Sequence, residues 1–242
     1  MKGLTSVERY LDSVTRQPQA RGWTAPAGGA AVHWPVVTIS RQTGAGAHVV
    51  ADELLDLLIA RAPKGSPTWT VFDRNLVDEV LRHHDLPARL ATFMREDRVS
   101  HVADAMEELF GLHPRASTLV KRTADTILHL AEIGNVILIG RGANLITARL
   151  DWAFHVRLVG SEGKRIAYLQ GRLHMDPGAA AQYLRAQDLG RQRYVKEYYG
   201  RDIDDPLQYD LVINTDGIPY REAARIIADA TSLLGSSPEP PS

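Results

Sequence analysis

Nine consecutive residues, Ser40, Arg41, Gln42, Thr43, Gly44, Ala45, Gly46, Ala47 and His48, have the make-up of a loop that can hold an anion. They follow the apolar run Val36-Val37-Thr38-Ile39 and precede a stretch, 49–60, whose apolar residues recur with helical spacing. In the order strand, loop, helix, the backbone N–H groups of the loop and the first turn of the helix face the same space. The partial positive charge there favours phosphate. Gly44 and Gly46 allow the backbone to turn and to come close to an anion. The same two glycines also suit a tight turn that only packs strand to helix. On the first reading, Gly46→Val weakens nucleotide binding, with little effect on the fold if the turn's dihedrals remain accessible. The pattern departs from the usual phosphate loop, in which Lys and then Ser or Thr follow the last Gly. Here Ala47, His48 and Val49 follow Gly46. Arg41 can supply charge in place of the ammonium, although a planar guanidinium is no simple substitute for it. His48, where the helix starts, can donate to a phosphate.

Three further side chains stand where strands are expected to end. Asp73 and Arg74 follow one apolar run, and Arg141, between Gly140 and Gly142, follows another. In a doubly wound sheet, ligands bind beyond the carboxyl ends of the strands. A guanidinium with free backbone around it can take a phosphate bidentately. Asp73 equally suits an N-cap for a helix beginning near Asn75. From Ser161 to Arg201 the chain carries Lys164, Arg165, Arg172, Arg185, Arg191, Arg193, Lys196 and Arg201. Such a stretch can close over phosphates or form a solvated helical face. Asp188, three residues from both Arg185 and Arg191, can orient either one. The nine histidines show no metal-ligand spacing, so no metal site is expected on the protein itself.

The elements that must carry these residues alternate along the chain. Strands are expected at 35–40, 68–72, 136–140, 153–159 and 210–214. A long amphipathic helix runs through Leu119, Val120, Thr123, Ala124, Ile127, Leu128 and Ala131 and is stopped by Gly134, and another helix spans 220–234 behind Pro219. Alternating strands and helices predict an α/β domain with a mainly parallel sheet covered on both faces. Residues 1–30 read as a short amphipathic helix, an appendage, followed by a Pro/Gly/Ala-rich linker. The main domain then covers 31–235, and 236–242 form a Ser/Pro tail. The chain of 242 residues fits one such domain. Its net charge of -1 excludes a general electrostatic pull toward nucleic acid or acidic membranes. With no cysteine, disulfides and a thiolate nucleophile are excluded. No apolar run has the length of a membrane span, and a soluble, cytoplasmic protein is expected.

Taken together, Thr38 to Gly46, Phe72-Asp73-Arg74-Asn75-Leu76-Val77, Val136 to Ala143, and Asp188-Leu189-Gly190-Arg191 on to Asp205-Pro206 and Tyr209 to Thr215 resemble the cytidylate kinase-like family of nucleoside monophosphate kinases. The resemblance covers roughly residues 35–234. It implies a phosphate-loop domain with a five-stranded parallel sheet and a helical lid, placed at about 161–205. It also implies transfer of a phosphoryl group from ATP, with Mg2+ on the donor phosphates, to a nucleoside monophosphate most like CMP or dCMP. In that reading residues 40–48 hold the donor, and Asp73, Arg74 and Arg141 hold the acceptor. Arg41, Arg165, Arg185 and Arg191 stabilise the transferred charge. The missing Lys and Ser/Thr leave open a nucleotide-binding regulatory or scaffold protein that has lost turnover.

Overall fold

The computed structural model describes Tyr10, residues 33–63 and 66–73, Met106, Leu109 and residues 118–234. Five parallel strands form one sheet in the order β2-β3-β1-β4-β5. They are β1 (Val36–Arg41), β2 (Thr70–Phe72), β3 (Val136–Ile139), β4 (Ala153–Val159) and β5 (Leu211–Asn214). The expected strands are all present, with ends shifted by a residue or two, as is usual where pairing rather than composition sets the boundary. β1 lies at the centre, with Val36 opposite Val136 of β3 and Ala153 of β4.

Alternation along β1 divides the core. Val37 and Ile39 face a layer made by α1 (Ala47–Arg61) and α6 (Tyr220–Thr231), where Val50, Leu54, Ala224 and Ile227 are buried. Val36 faces the opposite layer, led by α2 (Thr118–Ile133) through Val120, Ala124, Ile127 and Leu128. α2 ends at Gly134, whose left-handed φ of 80° and N–H to the Leu130 carbonyl terminate the helix as expected. α3 (Ala143–Ile146) follows β3, while α4 (Glu162–Leu173) and α5 (Pro177–Tyr199) form a helical hairpin after β4. That hairpin has a small core of its own in Leu169, Ala180 and Leu184. Asp176 caps α5 through the Ala179 N–H, and Pro177 occupies the first turn.

Tyr10 corrects the reading of the N-terminal segment as an appendage. Its ring is buried edge-on to Phe72 at 5.5 Å, and its hydroxyl donates to the Gly134 carbonyl at 2.7 Å. The rest of residues 1–30, the helix proposed after Asp73, and Arg74 lie outside the described residues.

Candidate functional site

β1 delivers the nine-residue loop to the carboxyl edge of the sheet, next to the ends of β3 and β4. The Gln42 N–H donates to the Leu158 carbonyl at 3.0 Å, and its side-chain oxygen accepts from the Gly160 N–H at 3.0 Å. These bonds clamp the start of the loop to the end of β4. Gly44 and Gly46 have φ of 82° and 79°, and α1 begins immediately afterwards with the Val50 N–H on the Gly46 carbonyl. The position of each missing Cβ shows why glycine is needed. At Gly44 it would meet the Arg165 carbonyl at 2.6 Å, and at Gly46 it would strike the Tyr220 ring. The expectation that Gly46→Val would leave the fold nearly untouched is therefore corrected. Both glycines let the loop pack against protein on its outer side, which leaves its inner side to a ligand.

The lid hairpin meets the loop through Asp188. One carboxylate oxygen accepts from the Thr43 N–H at 2.7 Å, the Thr43 hydroxyl at 2.6 Å and the Arg191 guanidinium at 3.0 Å. The other accepts from Arg165 at 2.7 Å. Arg165, only 8% exposed, also donates to the carbonyls of Gly160 and Thr43. Its hydrogen-bonding capacity goes to the outer wall of the loop, and it lines neither of the two cavities described below. Arg185 is not brought to the site. It sits on the outer surface, paired with Glu162 at 2.7 Å. Of the three lid arginines expected at phosphate, Arg191 alone reaches both cavities.

Those cavities lie side by side. The first, of about 210 Å³, is lined by residues 41–48, by Arg172 and Arg191, and on its apolar side by Tyr168, Leu173 and Tyr183. The second, of about 290 Å³, is lined by Ser40, Arg41, Arg141, Asn144, Gln187, Arg191 and Tyr194 among others. Arg41 and Arg191 line both. The side chain of Arg41 reaches across to Gly140, where a Cβ would collide with the guanidinium. Gly140, Arg141 and Gly142 are three successive left-handed residues, with φ of 81°, 58° and 72°. Glycine adopts this region freely, but for Arg141 it is strained by about 1 kcal/mol or more. Strain of that kind is tolerated where a side chain must be aimed. Asp73 follows β2 and contributes to the electrostatics of His48, but it lines neither cavity.

Behind the second cavity lies a network that sequence reasoning missed. Arg157 of β4, only 4% exposed, donates to the Ser40 hydroxyl oxygen at 2.9 Å and pairs with Asp204. Asp204 also accepts from Gln192 of α5 at 3.0 Å, and the Arg157 guanidinium stacks near the Tyr209 ring. The signal available was an arginine inside the strand Ala153-Phe154-His155-Val156-Arg157-Leu158-Val159, whose other residues are apolar except His155. A charge is rarely buried there without a partner. Arg172 belonged to the basic stretch, but nothing in its spacing set it apart from its neighbours.

His48 stands at the opening of α1 with its pKa lowered. Burial contributes most, and the positive charges of Arg41 and Arg172 add to it against Asp73 and Asp52. Among the described residues there is no group of three or more carboxylates and histidines able to hold a metal, and Val49 offers no hydroxyl to one. No helix among the described residues is long and apolar enough to cross a membrane.

The model of the cytidylate kinase-like family matches residues 36–217. A cytidylate kinase of Pyrobaculum aerophilum is 24% identical over 201 residues, which cover 81% of this chain and 92% of that protein. A cytidylate kinase of Thermoplasma acidophilum is 27% identical over 118 residues, 48% of this chain and 62% of the relative's length. The crystal structure of an uncharacterized protein from Eubacterium ventriosum superposes with a TM-score of 0.62 at 20% identity, over 82% of this chain and 98% of that one, so it shares the fold. The matched segment runs from the first residue of β1 past the end of β5 and so includes the loop, Arg141 and the lid hairpin, and the chain belongs to the cytidylate kinase-like family.

Proposed function

We propose that the protein transfers the γ-phosphoryl group of ATP to a nucleoside monophosphate, most like CMP or dCMP. The observation that carries this reading is the sharing of Arg41 and Arg191 by two adjacent cavities, one walled by the phosphate loop and the other by Arg141. Transfer between two bound nucleotides needs positive charge where the cavities meet. The phosphoryl group in flight spreads its charge over three equatorial oxygens, and the protein's task is to position the reactants and neutralise that charge.

An oxygen of the acceptor phosphate attacks the γ-phosphorus, and the bond to the β-phosphate oxygen breaks to release ADP. Arg41 and Arg191 face the oxygens in transit, Arg141 holds the acceptor phosphate, and the loop amides hold the donor. Gln187, Asn144 and Tyr194 provide amide groups and a ring face for the acceptor's sugar and base. Magnesium would arrive on the donor phosphates. The chain supplies no hydroxyl for it at Val49, and no step here is routed through it. The balanced net charge suits a protein acting on free nucleotides.

Ala47 and Val49, where a lysine and a hydroxyl are usual, favour a second reading, a nucleotide-binding regulatory or scaffold protein without turnover. A coupled ADP-release assay with ATP and magnesium against a panel of nucleoside monophosphates, run beside equilibrium ATP binding, separates the two. Transfer to a pyrimidine monophosphate supports the kinase reading. ATP binding with no transfer to any monophosphate overturns it.

A further inference from the structure

The loop has no lysine, yet its cavity is not short of cations. Ala47 takes the position after the last glycine and is buried, so it presents nothing to a phosphate. The next residue, His48, lies at the cavity wall in the first turn of α1, where the loop and helix N–H groups converge. The same 210 Å³ space is lined by Arg172, in the last turn of α4 and therefore carried by the lid hairpin. Neither residue has an ion pair among those described for the site, and both open to solvent, His48 with its ring partly shielded by the loop and lid. Two other lid arginines are committed elsewhere. Arg165 is bonded to Gly160, Thr43 and Asp188, and Arg185 to Glu162.

Building on the kinase reading above, we propose that His48 from α1 and Arg172 from α4 grip the donor polyphosphate in place of the absent lysine, and that His48 binds a proton from solvent more fully as the phosphates arrive. The groups facing His48 set the direction. Arg41 from β1 and Arg172 from α4 disfavour its charged form, as does burial, and Asp73 after β2 and Asp52 on α1 oppose them only in part. The imidazole is therefore neutral in the empty site near neutral pH. A polyphosphate brings several negative charges within reach and reverses the balance, so the pKa of His48 rises on binding. Linkage gives the sign. The bound form holds more protons, so affinity is fully present below the lowered pKa of the empty site and declines as pH rises through the raised pKa of the complex.

The test is calorimetric titration of the whole protein with ATP at saturating magnesium near pH 7, in buffers of different protonation enthalpy, for wild type, His48→Asn and Arg172→Gln. Wild type should take up a measurable fraction of a proton and His48→Asn none. Arg172→Gln should weaken ATP binding by roughly tenfold, the scale of a charge-assisted hydrogen bond at an exposed site. Equal proton uptake in wild type and His48→Asn overturns the proposal, as does unchanged affinity in Arg172→Gln. These outcomes are read from binding alone, so a wild type that binds ATP and transfers nothing would defeat the kinase reading while leaving this one standing. A folded wild type that fails to bind ATP defeats both.

Discussion

Asp188→Asn keeps the shape of a side chain that ties the lid to the loop while removing its charge. The carboxylate accepts four hydrogen bonds, two from Thr43 and one each from Arg165 and Arg191, at 2.6 to 3.0 Å. An amide oxygen can retain the Thr43 pair, but the amide nitrogen then faces Arg165, donor against donor. Arg165 has a side chain only 10% exposed, so its charge loses its partner with little water to replace it. Breaking one side of a buried pair costs about 3–5 kcal/mol. The remaining bonds from Arg165 to the Gly160 and Thr43 carbonyls soften this to an expected 2–4 kcal/mol or so. For a chain of this size that corresponds to a fall in Tm of about 5–15 °C. Thermal denaturation of Asp188→Asn, Arg165→Met and the double variant measures it, with a coupling of about 1–3 kcal/mol expected. A loss below about 0.5 kcal/mol, or strict additivity of the two changes, would show that the contact is an ordinary surface pair and would refute the argument that it buckles the lid to the loop.

Other consequences are equally accessible. Arg141→Gly should relieve left-handed strain, leaving Tm unchanged or slightly raised, while raising the KM for the acceptor at least tenfold with little change in ATP affinity; equal effects on both substrates would remove the assignment of Arg141 to the acceptor. Arg185→Ala should leave transfer within about twofold of wild type, because an exposed pair with Glu162 contributes about 1 kcal/mol or less to stability and nothing at the cavities. Gly46→Val should lower Tm sharply and reduce soluble yield, since the Tyr220 ring occupies the space a side chain needs; a well-folded variant deficient only in ATP binding would contradict that packing. Arg41→Ala should depress kcat more than ATP affinity, as expected of charge used most in the transition state, measured by steady-state rates beside equilibrium binding.

The strands were legible from runs such as β3, Val136-Ile137-Leu138-Ile139, which is apolar throughout and buried along its whole length, the pattern of a strand covered on both faces. The loop was legible from its order, strand then glycines then helix. What could not be read was the direction in which the lid residues point. Arg185 and Arg191 flank Asp188 at three residues on either side, about 60° to its left and right on a helical wheel, so spacing makes them equivalent. Only the docking of α5 breaks that symmetry by turning the Arg191 flank toward Thr43. Arg165 misled for a similar reason. Its place near the start of the basic stretch was evident, but its role in walling the loop depends on Gly160 and Thr43, and Thr43 is 122 residues away in the chain. Asp188 was noticed as a neighbour of two arginines, whereas its main partner, Thr43, is 145 residues distant.

Tyr10 reaches across a comparable span, with its hydroxyl on a carbonyl 124 residues further along and its ring against Phe72. A chain shortened to begin after residue 30 would keep all five strands and the whole of the loop at 40–48, yet would open a tyrosine-sized void between β2 and the end of α2. The loss would be felt as cavity formation, about 3–5 kcal/mol for a large aromatic side chain. It would fall on the strand that leads into Asp73, far along the chain from the residues removed. One aromatic ring, Tyr10, thus acts as a keystone between β2 and the end of α2.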